Sequence, residues 1–564
     1  MRKTVLVIFS CFLSLLFLPK TYGQGQDKLL GLLKEELAQQ MKELKGEEFP
    51  PYHMNYRVID VTSSVVSASF GALMNSQQYR SRTLVPQIRL GDEKLDNFRF
   101  NQMGAAMSRY QGPSVARLPL DEENNEDAVR QAIWDEVNNR YKFAVDMYQK
   151  TKAESSVNVE EEDKAPYFSE AKVEKYYEAP LPAEKMTIDM DRWAARMKEI
   201  SAVFKNQPGI MKGDAIMIYT VERRYFVNNE GTEVVQNLPY ARIMVFGETK
   251  ADDGMELPLN LSYFAYDPAD LPANDKIIAD AKEMVKTLEA LRVAPVVDPY
   301  TGPALLSGPA SGVFFHEIFG HRIEGQRMKS ENDGQTFKKM VGQLVLPADM
   351  HVYDDPTLRK YAGEDLNGFY KYDDQGVKAE RVDVVVNGKL NDFLMTRTPI
   401  DGHPRTNGHA RASDGFDPVS RQSNLVIETS NPKTPEELRQ LLIEEVKKQG
   451  KEYGYFFKEV TSGFTFTGKG GTNSFNVTPL EVYKVFADGR PDQLVRGVDL
   501  IGTPLSIIIY AGNDARVFTG MCGAESGSIP VTAISPTILV NKVETQRKAK
   551  SQDILPILPA PGTK

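Results

Sequence analysis

The chain has 564 residues, 41% of them hydrophobic and 26% charged, with a formal net charge of −9. At one domain per roughly 150 residues, that length allows about two to four ordinary globular domains. A mildly acidic balance excludes the basic footprint that a nucleic-acid partner requires.

The N-terminus reads as an export signal. Arg2 and Lys3 precede an apolar run from Thr4 to Pro19, and Thr21-Tyr22-Gly23 offers small residues at the −3 and −1 positions of a cleavage site before Gln24. The expectation is a signal peptide over residues 1–23 and a periplasmic or secreted mature chain. The apolar core is short for a membrane span, and no later stretch reaches the roughly 20 apolar residues a span needs. Cys11 is not a lipidation site, because the apolar run continues past it. Of the two cysteines, Cys522 alone remains after cleavage, so no internal disulfide forms, and an unpaired thiol in an exported protein points to reactivity or metal binding.

Leu30, Leu33, Leu37, Met41 and Leu44 recur at helical spacing and predict an amphipathic helix over 26–45. Residues 55–100 alternate in patches and read as short strands. Helices are predicted over 126–152, with Val129, Ile133, Val137, Tyr141 and Tyr148 on one face, and near 189–205, with Trp193, Met197, Ile200 and Phe204. The acidic piece 159–163 reads as a solvated loop. Two β-rich runs, 215–227 and 232–247, flank a turn at Asn229-Glu230-Gly231, and a helix over 274–292 follows. Helices and strands segregate without βαβ regularity, which predicts an α+β domain over 24–292.

A Pro/Gly-punctuated run from Ala294 to Gly312 looks like the boundary to a mostly β domain over 293–547, barrel- or sandwich-like. Its predicted strands are 381–396, 423–429, 455–467, 480–487, 504–511 and 536–543. One helix interrupts them: Thr434 is its N-cap, Pro435 sits at N1, Glu437 completes a capping box and Gly450 ends it. The tail over 548–564 has neither helical nor strand periodicity and reads as loosely ordered.

The stretch His316-Glu317-Ile318-Phe319-Gly320-His321-Arg322-Ile323-Glu324 packs two histidines and two glutamates onto an apolar segment, in a chain with only 6 histidines. Buried ionisable groups are costly unless a metal or a charge partner satisfies them. Zinc-protease helices space their histidines at i and i+4. Here the spacing is one longer, and at about 100° per residue the two rings stand about 140° apart on an ideal helix. A π-bulge, made easy by Gly320, brings them to one side. The plainer reading is two histidines bonded to backbone carbonyls with Glu317 paired to Arg322. As a metal site it needs a third ligand, for which Glu324, His409 and Cys522 are candidates. Glu324 also suits a role orienting a ligand from outside. The loop Arg405 to Arg411 reads either as an ordinary turn or as a substrate-binding loop using Asn407 and His409. Cys522, flanked by Gly520 and Gly523, reads as a small buried hydrophobe or a reactive thiol.

His316-Glu317-x-x-Gly320-His321 with Glu324-Gly325, then Thr406-Asn407-Gly408-His409, then Gly520-Met521-Cys522-Gly523 with Pro530 and Pro536, resembles the TldD/PmbA family and its TldD-like branch. The likeness runs over roughly 290–545. It implies a zinc metalloprotease acting on peptides or unfolded segments. It further implies that Zn²⁺ is held by His316, His321 and Cys522, that Glu317 is the catalytic base, and that the protein forms a homodimer, or a heterodimer with a paralogue, around a shared cavity. His409 is then a candidate to help hold an oxyanion. The export signal and insertions near 154–164 and 468–476 depart from the family pattern. The rivals are a cysteine hydrolase, with Cys522 as nucleophile and His409 as base, and a non-catalytic peptide-binding subunit.

Overall fold

A computed structural model of the chain describes residues 27–98, 115–155, 163–329, 333–468, 475–502 and 508–548. The signal segment, the tail beyond 548 and most of the two insertions lie outside the described residues. Of the acidic piece 159–163 only Asp163 is described. It is buried against Lys329, not solvated.

The N-terminal half is a mostly antiparallel sheet covered on one face by helices. Instead of several short strands, residues 51–92 form one long hairpin, β1 (Pro51–Ser69) and β2 (Ala72–Asp92). β1 also pairs with β3 (Ile210–Asn228), which continues through the predicted turn into β4 (Glu233–Lys250) and then β5 (Glu256–Ala265). Strand alternation decides the two faces. Met54, Tyr56, Val58, Val66 and Ala68 of β1 point into apolar cores shared with α1 (Lys28–Leu44), α2 (Glu126–Ser155), α3 (Met190–Ser201) and α4 (Asn274–Val293). His53, Asn55 and Arg57, with their cross-strand neighbours Arg89, Gln87 and Val85 and with Thr83 two residues before Val85, line the reverse face and are also buried. That face meets the C-terminal half through hydrogen bonds. Arg57 donates to the Phe416 carbonyl at 2.5 Å, Thr83 to Asp414 at 2.6 Å and Gln236 to the Tyr372 carbonyl at 2.8 Å.

The predicted linker 294–312 is ordered: it contains β6 (Thr301–Leu306) and the first turns of α5 (Gly308–Ile318). β6 is one stave of a closed five-stranded barrel. It pairs in parallel with β7 (Tyr453–Thr465), and the ring continues through β8 (Phe475–Phe486), β9 (Val498–Gly502) and β10 (Ile538–Arg547) back to β6. The helix Pro435–Lys448, with both arms of the predicted capping box, covers the barrel through Leu438, Leu442 and Val446. A second sheet includes Met350–Asp354, Asn424–Thr429 and a hairpin of two further strands, Arg516–Ala524 and Gly527–Ser535. The sequence reading had no strand at either position of that hairpin. α5 is wedged between barrel and second sheet, and all of its residues are buried.

Candidate metal centre

α5 is held at its start and broken at its end. Ser307 caps it, donating its hydroxyl to the Lys458 carbonyl at 2.6 Å, and Ser311 shares a 2.7 Å hydrogen bond with Ser535. The apolar run Val313–Phe315 fills the core between barrel and sheet. The expected π-bulge is absent. The α-helix stops at Ile318, Phe319 departs to φ −117°, and Gly320–Arg322 form a single 3₁₀ turn. Tightening the chain, not widening it, carries His321 back beside His316, whose ring centroid is 4.8 Å away. Arg322 does not pair with Glu317 through its carboxylate. It caps the broken helix by donating to the carbonyls of Glu317 and Ile318 at 2.7 and 3.2 Å. Gly320 is required for a different reason than flexibility: a Cβ there would stand 1.9 Å from the Gln422 side-chain oxygen.

The strand Arg516–Ala524 brings Cys522 to the same place. Its Sγ lies 3.1 Å from His316 Nε2 and 3.4 Å from His321 Nε2, and the three donor atoms all lie within 4.8 Å of one another. In a tetrahedral zinc site, with the usual bond lengths, nitrogen and sulfur donors stand about 3.5 Å apart. The donor set and its spacing therefore fit a zinc ion. Charge points the same way. Burial pushes the Cys522 thiol up, but His316, His321 and Arg421 outweigh it and hold the thiol well below its ordinary range. Burial lowers the pKa of His321, yet Glu324 and Cys522 raise it well above the usual imidazole value. A cation at that point would displace the imidazole protons and leave two imidazoles and a thiolate as its donors.

Around these three the other site residues divide. Glu317 lies beside them, its Oε2 is buried with no hydrogen-bond partner, and burial raises its pKa above the usual carboxylate range. A Cβ on Gly463 of β7 would stand 2.6 Å from Glu317 Cγ, so the barrel wall there is glycine to make room for this carboxylate. Glu324 does not join the donors. Its Oε2 accepts from His321 Nδ1 at 3.1 Å and from Arg327 at 2.9 Å, and these two hold it at about 2 against the upward push of burial. Asn407 and His409, expected to touch substrate, are spent on the fold. Asn407 bridges the Phe393 carbonyl and the Met395 N–H, and His409, wholly buried, is bonded to Asp354 at 3.2 Å and to Asn407 at 3.0 Å. With both ring nitrogens engaged, His409 does not serve Cys522 as a base.

Sequence reasoning missed the group beneath the site. Ser420, Arg421 and Gln422 run into Ser423 and Asn424 at the start of the predicted strand 423–429; all five are polar, yet each is at most 1% exposed. Gln422 donates to the His316 carbonyl at 3.4 Å, and Arg421 donates to Cys522 Sγ at 3.1 Å. Glu525, three residues past the cysteine, accepts from Arg327 and Gln326, both at 2.9 Å. No spacing rule marks these residues in the sequence.

Fold and site together define a two-part α+β protein with a buried His–His–Cys constellation whose donor atoms are spaced as a candidate metal site. Residues 299–547 match the family model described as the PmbA/TldA metallopeptidase C-terminal domain. Over that region the chain is similar to the TldD/PmbA family, and the C-terminal half carries the match. It is similar to a metalloprotease of Archaeoglobus fulgidus, 28% identical over 268 residues, which is 47% of this chain and 58% of that one. It is also similar to a protein of Saccharolobus solfataricus named a zinc metalloprotease TldD homolog, 25% identical over 250 residues, 43% of this chain and 51% of that one. The chain spans little more than half the length of these relatives. Its fold is that of the solved TldE from Thermococcus kodakarensis, with a TM-score of 0.59 at 15% identity over 92% of this chain and 100% of that one.

Proposed function

We propose that the protein is a zinc-dependent peptidase acting on peptides or unfolded segments, with Glu317 as its proton carrier. The observation that carries this reading is the convergence of His316 and His321 Nε2 on Cys522 Sγ, at 3.1 and 3.4 Å, beside a buried carboxylate that has an unpartnered oxygen. Zinc held by these three donors supplies Lewis acidity, acidifying water and polarising a carbonyl. Glu324 fixes the ring of His321 through Nδ1, leaving Nε2 free to donate. Glu317, destabilised as an anion by burial, accepts the proton of the attacking water and returns it to the leaving amine. The names of the relatives support the peptidase class.

The setting of the reaction is part of the proposal. Export rests on Arg2, Lys3 and the apolar run that follows them. A dimer, with a second copy or a paralogue, rests on the family likeness and on Phe464, Phe466 and Met521, large apolar side chains left more than half exposed close in sequence to Gly463 and Cys522. Full activity in a monomer, seen by light scattering with simultaneous assay, rules the dimer out.

The test of the chemistry is metal analysis of the purified protein together with Glu317→Gln. About one zinc per chain is expected, and the variant should keep that zinc while turnover falls on the order of 10²–10⁴-fold, the usual worth of a general base. Metal-free protein with chelator-insensitive turnover would sink the zinc reading and return Cys522 to the role of nucleophile.

A further inference from the structure

A buried thiolate and a buried carboxylate within one small site need a cation between them, because neither is solvated there. Arg421 stands in that place. Its side chain is wholly buried. Nη2 donates to Cys522 Sγ at 3.1 Å and to the Cys522 carbonyl at 2.8 Å. Nε faces Glu324 Oε1 at 3.5 Å, the carboxylate oxygen that neither His321 nor Arg327 uses. Nη1 turns the other way, to Ser526 Oγ at 2.9 Å and the Gly527 carbonyl at 3.1 Å. One planar guanidinium therefore touches the sulfur donor directly and, through Glu324, the group that orients His321.

We propose that Arg421 is a positioning residue that tunes the metal centre, withdrawing charge from the Cys522 sulfur and coupling it to the Glu324–His321 arm. The inference rests on the metal reading given above. Its physical basis is that a thiolate gives a metal more electron density than an imidazole does and so blunts its acidity, while a charge-assisted hydrogen bond to the sulfur offsets that donation. The planar fork matters. A lysine ammonium is a compact point charge, unable to span the sulfur, the Cys522 carbonyl and the carboxylate together. The oxygens of Ser526 and Gly527 on Nη1 give Arg421 a structural duty as well, so activity alone does not separate the two roles.

The experiment is cobalt(II) substitution of the full-length protein, read by the sulfur-to-cobalt charge-transfer band and by competition with a chelator. The variants are Arg421→Gln, Arg421→Lys and Ser526→Ala, the last removing a structural contact while leaving the sulfur contact in place. Without its hydrogen bond the sulfur is more electron-rich, so in Arg421→Gln the band moves to longer wavelength. Metal retention in that variant nevertheless weakens about 10–100-fold, the range for loss of an outer partner, because Cys522 and the Glu324–His321 arm are no longer held in place and this outweighs the richer sulfur. Arg421→Lys shows a smaller shift, and Ser526→Ala shows none. Should Arg421→Gln not fold, Arg421→Lys, which keeps the charge and most of the volume, carries the test. Parent-like band and chelator resistance in the folded Arg421 variants overturn the proposal while leaving the metal site intact. A parent protein that binds cobalt without a thiolate band, or not at all, overturns the metal reading and this inference with it.

Discussion

Two groups of buried histidines sit in the C-terminal half, and they differ in what surrounds them. His409 is closed. One nitrogen meets Asp354, the other meets Asn407, and Ser423 and its N–H complete the carboxylate. His316 and His321 are open: their Nε2 atoms converge on a third donor, Cys522 Sγ, instead of on complementary partners. Both groups are buried to a similar degree, so burial does not tell a structural histidine from a ligand. Complementarity does. A polar network that satisfies itself rigidifies the fold, whereas donors gathered around a shared point call for a cation.

Breaking the open group should cost most. His321→Phe should weaken metal retention by more than the roughly 100-fold typical of losing an outer partner, measured by chelator competition, because a direct donor is gone. Zinc occupancy equal to the parent's would remove His321 from the donor set. Gly463→Ala comes next. Its Cβ would displace Glu317 by an ångström or so, and misplacement on that scale costs about 10²-fold in turnover. Zinc content should stay level, and an unchanged kcat would show that Glu317 has room to spare.

His409→Phe sharpens the contrast from the other side. It leaves the buried Asp354 short of a donor, at a cost of about 1–3 kcal/mol in a denaturant melt, with zinc per folded chain as in the parent. Loss of zinc at parental stability would move His409 into the metal centre. The smallest effect belongs to the seam between the halves, where Arg397 donates to Glu230 at 2.6 and 2.8 Å. Burial pushes the Glu230 carboxyl up, but His53 and Arg397 outweigh it and hold it at about 2. A depressed carboxylate contributes stability above its unfolded pKa of about 4.3 and loses it as pH falls through the folded value. The stability gap between parent and Glu230→Gln should therefore be full near neutrality and narrow between about pH 4 and pH 2. A gap that does not change with pH would mean the pair is not what holds Glu230 ionised.

Local pattern alone determined much of this molecule. Helical spacing placed the helices now seen at Lys28–Leu44, Met190–Ser201 and Asn274–Val293, and Thr434, Pro435 and Glu437 placed the capping box, because those signals lie within a few neighbouring residues. His316, Glu317 and His321 were legible for the same reason, as ionisable groups on an apolar helix. What tertiary structure alone decided begins with the turn after Ile318, where a 3₁₀ break stands in place of a π-bulge and the Gln422 side chain packed against Gly320 leaves no room for a Cβ. The strand carrying Cys522 was equally hidden: its glycines and mixed exposure show no alternation, and only pairing with Gly527–Ser535 makes it a strand. Arg421 lies furthest from any sequence rule. It sits 105 residues from His316 and 101 from Cys522, and its burial comes with its contacts to Glu324, Cys522, Ser526 and Gly527, long-range events that no local propensity records.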